Sequence, residues 1–501
     1  MNAYTLGLDN GGSAVKAAIF DLNGKEIASS TRAQKILTPQ AGFTERNASE
    51  TWELNCEVIK DALGKSGINA GDIVGVAVTG YGNGIHIIDK NGDDVYRHVV
   101  STDARAQKYV TKFHKDGTFD KVREKTMQSI WAAQPPLMLN WFRDHQPEIL
   151  EQAHAILSIT DYIRFKLTGE VANELSNLSG TSQMDLCAGK TDPDIYKLFG
   201  ITEHYDLLPP TCKSESICGK ISKIAAAATG LAEGTPVAGG FFDITACCLA
   251  SGIVDDSKLA IVAGTWTINE YLSKKLVDDR TLFMTSMSYI PEYYLISEAS
   301  PTCAGSFNWF AEQFLKEQVA SMSTQEFYDY CNTAVASIAP DESNIVFLPY
   351  IYGSNARTAA QGAFFNLNGF HTREHALRAV YEGMAFSSAY HVEKLYCHKS
   401  DFTAARLSGG PSNSDTWAQM LCDVLQMPIE IVLGTELGAK GAAMAAAVAS
   451  GHFKNFDQAA EAMVHILKTI EPNVKHQAIY AEKFDRYKKA MELASIFAEQ
   501  Q

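Results

Sequence analysis

The stretch LGLDNGGSAVKAAIFDLNG at residues 6–24 constrains the fold most, because two apolar runs flank a short turn of small residues. This pattern predicts a strand, a tight turn and a second strand. A plain hairpin needs one glycine at a left-handed turn position, which would explain Gly11 or Gly12. It leaves unexplained an acid, Asp9, before the turn and a lysine, Lys16, after it. Both a plain turn and a phosphate-binding loop fit this stretch taken alone.

A second hairpin of the same kind lies halfway along the chain, in SKLAIVAGTWTINEYLS at residues 257–273. Its turn falls at Gly264 and Thr265, and another apolar run follows at residues 293–300. Later, Gly409 and Gly410 end a further apolar run that leads into a predicted helix at residues 412–415. We interpret the chain as one supersecondary unit used twice, with the join near residues 246–257.

Around the two hairpins, apolar periodicity predicts alternating strands and helices. The other predicted strands are residues 4–8, 15–20, 26–33, 73–80 and 345–350. One predicted helix runs from an N-cap at Ser49 to about Leu63. Two more lie near residues 307–317 and 373–393. With 501 residues, the chain is predicted to be an α/β protein of two domains, residues 1–247 and 248–501.

Composition excludes several classes of function. A net charge of −15 argues against a general nucleic-acid binder. The N-terminus lacks a basic region followed by an apolar one, and no stretch of about 18 apolar residues occurs, so no membrane segment is expected. None of the ten cysteines forms a CxxC pair, which argues against a zinc or redox motif. Scattered free thiols fit a reducing cytoplasm, where we expect the protein to be located.

The repeat favours a nucleotide site, because two glycine-tipped hairpins can face each other across a cleft. Their backbone N–H groups would then hold the phosphates of one nucleotide from both sides. The Walker-like fragments at residues 63–66 and 189–191 lack the required first glycine and a preceding strand. The GYGNG stretch at residues 80–84 lacks the spacing of a dinucleotide turn.

Several motifs together resemble those of the FGGY carbohydrate kinases, over essentially the whole chain. DNGGSAVK and AGTW are similar to the two phosphate hairpins of that family, and GGFFD at residues 239–243 to the stretch that ends in its catalytic aspartate. LSGGPSNSDTWAQMLCDVLQMPI and ELGAKGAAMAAAVASG resemble its adenosine-binding region. The two family signatures depart at Met138, Asn366 and Ala376, which are scaffold positions. The resemblance implies an α/β fold of two ribonuclease H-like (actin-like ATPase) domains flanking a central cleft.

The chemistry of Asp243 supports the same function independently. A sugar hydroxyl is a poor nucleophile at neutral pH, and a carboxylate in hydrogen-bond reach can take its proton. Asp243 follows an apolar strand and small residues, so burial should raise its pKa. Its alternative role is N-cap of the following helix, and the two roles are compatible.

Further site residues follow from the resemblance, with ATP and Mg²⁺ as cofactors. Asp9 and Asp243 are the candidate Mg²⁺ ligands. Lys16 is expected to neutralise charge on the transferring phosphoryl group, its alternative being a solvated strand lysine. Asn413 could equally be a helix N-cap. The residues implied in nucleotide and phosphate binding are Gly11, Gly12, Ser13, Lys16, Gly264, Thr265, Gly409, Gly410 and Asn413.

The expected partner is a small-molecule sugar, bound by the N-terminal half through Asn83, Asp103 and Asp243. Asp103 and Arg105 either bind hydroxyl groups or pair with each other at a surface turn. The resemblance is closest to L-xylulose kinases, which implies phosphorylation of a ketopentose such as L-xylulose, or of 3-keto-L-gulonate. A polyol such as erythritol or xylitol is the alternative substrate, and a non-catalytic actin-like nucleotide switch is the alternative class. No nucleic acid or membrane partner is expected, and the resemblance allows a homodimer.

Overall fold

Each predicted hairpin opens a separate β-sheet in the computed structural model, which describes residues 3–319, 321–356 and 358–500. In the first half, the strands are β1 (Tyr4–Asn10), β2 (Ala14–Asp21), β3 (Glu26–Ala33), β4 (Glu45–Arg46), β5 (Ile73–Gly80), β6 (His86–Ile88), β7 (His98–Val99), β8 (Ala155–Leu157), β9 (Asn173–Glu174), β10 (Met184–Asp185), β11 (Lys190–Thr191), β12 (Thr211–Cys212), β13 (Ile217–Lys220), β14 (Pro236–Ala238) and β15 (Phe241–Phe242). The helices there are α1 (Ala48–Ser66), α2 (Gln107–Lys115), α3 (Thr118–Thr126), α4 (Pro135–His145), α5 (Pro147–Gln152), α6 (Ile159–Thr168), α7 (Leu175–Ser179), α8 (Pro193–Leu198), α9 (Lys223–Thr229) and α10 (Asp243–Ala250).

The second half continues with its own strands and helices. The strands are β16 (Lys258–Ala263), β17 (Thr267–Ser273), β18 (Met284–Met287), β19 (Tyr294–Ser300), β20 (Val346–Leu348), β21 (Ala363–Phe365), β22 (Ala404–Ser408), β23 (Ile429–Val432) and β24 (Ile466–Ile470). The helices are α11 (Ala304–Phe314), α12 (Lys316–Val319), α13 (Thr324–Ala336), α14 (Arg373–Tyr396), α15 (Asp415–Leu425), α16 (Leu437–Ala449), α17 (Phe456–Met463) and α18 (Gln477–Glu499).

The two sheets share a topology, which confirms the predicted repeat. In the first, β1 pairs antiparallel with β2 and parallel with β5, and β14 pairs parallel with β5 on its other side. In the second, β16 pairs antiparallel with β17 and parallel with β22, and β23 pairs parallel with β22. Each glycine-tipped turn therefore lies at the same edge of its sheet as the carboxyl ends of the parallel strands, which is where α/β proteins bind ligands.

Helix α16 belongs to the second half of the sequence but packs on β1, β5 and α10 of the first. Its residues are small, LGAKGAAMAAAVA, so backbones approach closely. A Cβ on Gly441 would lie 2.1 Å from the carbonyl oxygen of Ala246 in α10. A Cβ on Gly7 in β1 would lie 1.8 Å from the carbonyl oxygen of Ala439. One buried cluster consequently contains Phe241 from the first half together with alanines of α16.

The predicted N-cap at Ser49 is wrong, because α1 begins two residues earlier. Asn47 is the N-cap, and its carbonyl oxygen accepts a hydrogen bond from the backbone N–H of Thr51, 3.0 Å away. The Ser49 hydroxyl instead donates to the Asn47 side chain at 3.0 Å. In the described part of the chain, no helix has the length and apolar character needed to cross a membrane.

Candidate active site

Two aspartates, Asp9 and Asp243, lie where neighbouring strands of the first sheet end. In β1, Asp9 pairs with Thr79 of the parallel strand β5. Asp243 follows β15, whose last residue pairs with Gly80, the end of β5. The sheet therefore brings together two carboxylates that are 234 residues apart in the sequence, 243 minus 9.

Asp243 is the first residue of α10 rather than its N-cap, which is Phe242. Its carboxylate Oδ1 accepts a hydrogen bond of 2.7 Å from the adjacent backbone N–H of Ile244. Burial and, to a lesser extent, the nearby charge of Asp9 together raise the pKa of Asp243 to about 8. A carboxyl group with a pKa close to neutrality suits general acid–base chemistry.

Asp9 has a buried acceptor atom that its surroundings do not use. Its Oδ1 atom is buried and has no hydrogen-bond partner among the described residues. Burial raises the pKa of Asp9 to about 6, although the charge of Lys16 opposes the shift. Within that same part of the chain, no three His, Cys, Asp or Glu side chains are grouped to hold a metal alone. Mg²⁺ needs only one or two carboxylates with phosphate and water oxygens, so this pair fits it.

The tip of the first hairpin has a conformation that the sequence did not predict. Neither Gly11 nor Gly12 has a positive φ, so the expectation that the turn itself requires a glycine is wrong. A Cβ on Gly12 would meet no atom within 4 Å, and one on Gly11 would lie 3.4 Å from the Ala14 carbonyl oxygen. Gly12 and Ser13 are exposed. The fold itself therefore does not require glycine at this tip, and close approach of a ligand stays the prediction for it.

Arg46 hydrogen-bonds the carbonyl groups of this tip, and the sequence analysis did not identify it. Its Nη2 donates to the carbonyl oxygen of Gly12, and its Nη1 to that of Gly11 at 3.5 Å. Arg46 itself is buried and lies over the ring of Tyr81, 5.4 Å from its centroid. These bonds fix the carbonyl groups of the tip, and the N–H group of Gly11 donates to the Ala14 carbonyl oxygen at 3.0 Å.

Gly12→Ala is expected to leave the free energy of unfolding within about 0.5 kcal/mol, because a methyl group fits the space. The same methyl group would protrude towards the phosphates, so kcat/KM for ATP should fall about tenfold or more. Gly71→Ala, at another open position outside the cleft, is the matched control. Steady-state kinetics and urea unfolding of both variants test this. Unchanged kinetics for Gly12→Ala would contradict the assignment of this hairpin to the nucleotide site.

Lys16 is an ion-paired residue rather than a solvated strand lysine. Its Nζ lies 2.9 Å from Oε2 of Glu436, and it pairs across the hairpin with Asp9. Burial alone would lower the pKa of Lys16, but Glu436 raises it above the usual lysine value. Sequence reasoning missed Glu436; its only signal is its place directly before the small-residue helix α16.

The second hairpin and the predicted adenosine loop contact each other. The backbone N–H of Ala304 donates to the carbonyl oxygen of Gly264 at 3.0 Å, and Thr265 is exposed at the tip. Gly409, in the predicted adenosine loop, has a φ of 91°. A Cβ there would lie 2.1 Å from the carbonyl oxygen of Ala263, the last residue of β16 before the hairpin turn, so the fold itself requires this glycine. Gly410 has no such neighbour within 4 Å.

Asn413 has an exposed position at the end of the turn that follows Gly410. The alternative that Asn413 caps helix α15 is wrong, because Ser414 is the N-cap. The Ser414 side chain accepts a hydrogen bond from the backbone N–H of Trp417. This leaves a nucleotide contact as the remaining prediction for the Asn413 side chain.

Asn83 occupies a strained position in the predicted sugar-binding region. Its φ is 63°, which is uncommon for a residue with a side chain. Its Oδ1 is buried and lacks a hydrogen-bond partner within the described ranges. The residue borders a cavity of about 20 Å³, together with Asn173 and Asn177. Strain and an unused acceptor together are typical of functional positions.

Asp103 and Arg105 pair with each other, but they are buried and not at a surface turn as predicted. Asp103 accepts hydrogen bonds from Nε and Nη2 of Arg105, from the Arg105 backbone N–H and from that of Thr44. Four bonds fill the capacity of a carboxylate. Arg105 also donates to Glu45 at 2.7 Å. The four observed bonds hold Asp103 in place. Its predicted sugar binding would require a sugar hydroxyl group to replace one of them.

Glu270 on β17 is a buried acid that sequence reasoning also missed. Ser297 donates to its Oε1 at 2.7 Å, and its Oε2 has no partner in the described part of the chain. Burial, with a smaller contribution from the charge of Asp243, raises the pKa of Glu270 to about 8. Its only sequence signal is that it is the one charged residue in the strand Thr267–Ser273.

Glu270→Gln is expected to raise stability at high pH. The pKa of Glu270 is higher in the folded protein than the value of 4.5 expected in the unfolded chain. Protonated Glu270 therefore contributes its full stability below pH 4.5, and this stability is lost as the pH rises through about 8. Glutamine stays neutral, so the free energy of unfolding of the variant should exceed that of the natural protein by an amount that grows over this pH range to the order of a few kcal/mol. Urea unfolding at pH 5 and pH 9 measures this, with exposed Glu170→Gln as control. Equal pH dependence in both variants would contradict the burial effect.

Comparison with known proteins identifies the family. Family models of the N-terminal and C-terminal domains of the FGGY family of carbohydrate kinases match residues 4–250 and 259–450. The chain is 35% identical over 488 residues to the L-xylulose/3-keto-L-gulonate kinase of Escherichia coli strain K12, covering 97% of this chain and 96% of that protein. It is 27% identical over 499 residues to an autoinducer-2 kinase of Klebsiella pneumoniae, covering 97% and 93%. The crystal structure of xylulose kinase from Rhodospirillum rubrum matches with a TM-score of 0.87 and 24% identity, over 99% of this chain and 100% of that one.

These matches confirm the predicted α/β fold of two ribonuclease H-like domains and the predicted kinase activity. They favour an enzyme over the non-catalytic nucleotide switch, because the matching relatives are named kinases. Use of ATP and a small-molecule sugar substrate follow from the family. The chain therefore belongs to the FGGY family of carbohydrate kinases.

Proposed function

We propose that the protein transfers the γ-phosphoryl group of ATP to a hydroxyl group of a ketopentose such as L-xylulose, or of 3-keto-L-gulonate. The raised pKa of Asp243, at the end of β15 and beside Asp9, is the observation that carries the mechanism. Asp243 accepts the proton of the attacking hydroxyl group as the oxygen–phosphorus bond forms in line with the leaving ADP.

The chain's own groups orient the nucleotide and balance its charge. The N–H groups of Gly12 and Ser13 and that of Thr265 bind the phosphates from two sides. The N–H groups of Gly11 and Gly264 already donate within their own turns, to the carbonyl oxygens of Ala14 and Trp266. Lys16, held by Glu436, stabilises the negative charge of the transferring group. Asp9 and Asp243 are the residues that would hold Mg²⁺, which neutralises phosphate charge when bound. Gly410 and Asn413 contact the adenosine.

The substrate assignment is supported by the 35% identity to a kinase named for L-xylulose and 3-keto-L-gulonate. Asn83, with its unused Oδ1 atom, is the residue we assign to a substrate hydroxyl group. A polyol such as erythritol or xylitol is the second candidate, because Asn83 would bind a hydroxyl in either class. The domain division that goes with this assignment is residues 1–247 for the sugar and 248–501 for the adenosine.

A coupled assay for ADP, run over ketopentoses, polyols, keto-acids and autoinducer-2, tests this proposal. We expect kcat/KM for L-xylulose or 3-keto-L-gulonate to exceed that for each polyol by tenfold or more, on the order of one lost hydrogen-bonding interaction. The Asp243→Asn variant serves as the blank for contaminating kinases. A higher kcat/KM for a polyol would select the second candidate, and inactivity over the whole panel would contradict the proposal.

A further inference from the structure

Lys440 is a buried cation for which the described part of the protein provides no partner. It lies in the second turn of α16 and is 3% exposed. No carboxylate, carbonyl or hydroxyl group among the described residues hydrogen-bonds its ammonium group or forms an ion pair with it. Burial lowers the pKa of Lys440 to about 8. An unpaired buried charge is costly, and such groups usually find a counterion or a ligand.

This side chain lines a groove of about 410 Å³ on the surface. One wall is the turn between β2 and β3, residues 20–26, and the other is the segment 433–436 after β23. The acids of the groove are already engaged: Glu436 pairs with Lys16, and Asp21 accepts from two backbone N–H groups of its own turn. Glu26 accepts from the Ser29 hydroxyl. None of them neutralises Lys440.

The wall of the groove formed by residues 20–26 lies away from the tip of the phosphate hairpin, whereas Glu436 in the other wall contacts Lys16 of that hairpin. The wall of residues 20–26 borders the end of β2 at Asp21, whereas the phosphate hairpin is at the beginning of β2, after Asn10. Seven residue steps in a strand separate Ala14 from Asp21, which is about 23 Å. Phosphates bound at the hairpin tip would therefore not reach the turn between β2 and β3.

The groove also bridges the two halves of the chain. His465, which precedes β24, donates from Nε2 to the carbonyl oxygen of Asn23 at 2.7 Å. A Cβ on Gly24 would lie 2.0 Å from the Met463 carbonyl oxygen, so the turn fits tightly against the second half. A ligand in this groove would contact both halves.

We infer that this groove is a binding site for a small oxyanion, the carboxylate or phosphate group of a metabolite, with the ammonium group of Lys440 as its anchor. The anion would neutralise Lys440, the buried cation of the groove, while exposed Lys25 and the polar residues Asn23, Thr435 and His465 supply contacts around it. Because the ligand would contact both halves, its binding stabilises their arrangement. The inference does not depend on which sugar the enzyme phosphorylates.

Thermal unfolding and calorimetry of the full chain with inorganic phosphate, acetate and, at matched ionic strength, chloride test this site. We expect phosphate or acetate to raise the Tm of the natural protein above the chloride value. Lys440→Met should lose this increment and weaken the measured Kd at least tenfold. Exposed Lys90→Met, which also removes one positive charge, should retain both. Stabilisation by phosphate alone identifies a phosphate ligand, and by acetate alone a carboxylate ligand.

Two further results separate this site from the nucleotide site. Phosphate can also bind at the hairpin tips, but that component should persist in Lys440→Met. Without anions, Lys440→Met should raise the Tm, because methionine removes an unpaired buried charge. Lys440→Gln is the second variant should methionine fail to fold. Equal anion binding in the natural protein and these variants, or no anion effect in any of them, would overturn the inference.

Discussion

Asp243→Asn is expected to lower kcat by about 10²–10⁴-fold, the usual loss when a general base is removed. Asparagine keeps the shape of the side chain and can still accept the hydrogen bond from the Ile244 backbone N–H, but it cannot take a proton. The Kd for ATP should change much less, because most predicted nucleotide contacts lie on the hairpin tips and at residues 409–413. Initial rates beside calorimetric ATP titration measure both quantities.

Asp457→Asn is the matched control, because Asp457 is an exposed acid in the first turn of another helix, α17. It should keep kcat within about threefold, whereas loss in Asp243→Asn alone assigns the effect to the base. A kcat within threefold for Asp243→Asn would contradict that role. The search for a base would then turn to Asp9, because Glu45 and Asp103 are both bound to Arg105.

Arg105→Met is expected to lower the free energy of unfolding by about 3–5 kcal/mol, the loss typical when one partner of a buried ion pair is removed. The guanidinium group of Arg105 is fully buried between Glu45 and Asp103, whose side chains are at most 2% exposed. It also lies 4.1 Å from the ring centroid of Phe43. Methionine would leave the buried Asp103 without a counterion and Glu45 with only the exposed Arg97, so the loops that carry these two acids should open.

Arg97→Met provides the comparison, because Arg97 contacts the same Glu45 at 3.5 Å but its side chain is 57% exposed. Exposed pairs contribute little, so this variant should lose less than about 1 kcal/mol. Guanidinium unfolding curves of the two variants give the difference directly. Equal losses would show that burial of Arg105 does not determine its contribution.

The repeat, the hairpins and most strands could be predicted from the sequence because each depends on a local pattern. Apolar runs around a small turn specify β1–β2 and β16–β17 without reference to the rest of the chain. Helix ends were less certain, since α1 begins after Asn47 and not at Ser49. That difference depends on which of several neighbouring polar residues takes the capping position.

Contacts between distant segments could not be predicted in this way. Arg46 supports the first hairpin from 34 residues away, and Glu436 reaches Lys16 across 420 positions, 436 minus 16. The phosphate-binding role of Gly12 stays a prediction, whereas the expectation that the turn needs a glycine is wrong, because φ is not positive here. Lys440 gave no signal, since its burial arises only when α16 packs on the first sheet.

The position of α16 has a consequence for how this protein is made. Strands β1, β2 and β5 and helix α10 have all been synthesised by residue 250, but the helix that covers them ends only at Ala449. At 5–20 residues per second, about 200 further residues take roughly 10–40 s of translation. Throughout that interval the nascent first half carries an uncovered apolar face, so we expect it to recruit ribosome-associated chaperones and a fragment ending at residue 247 to aggregate.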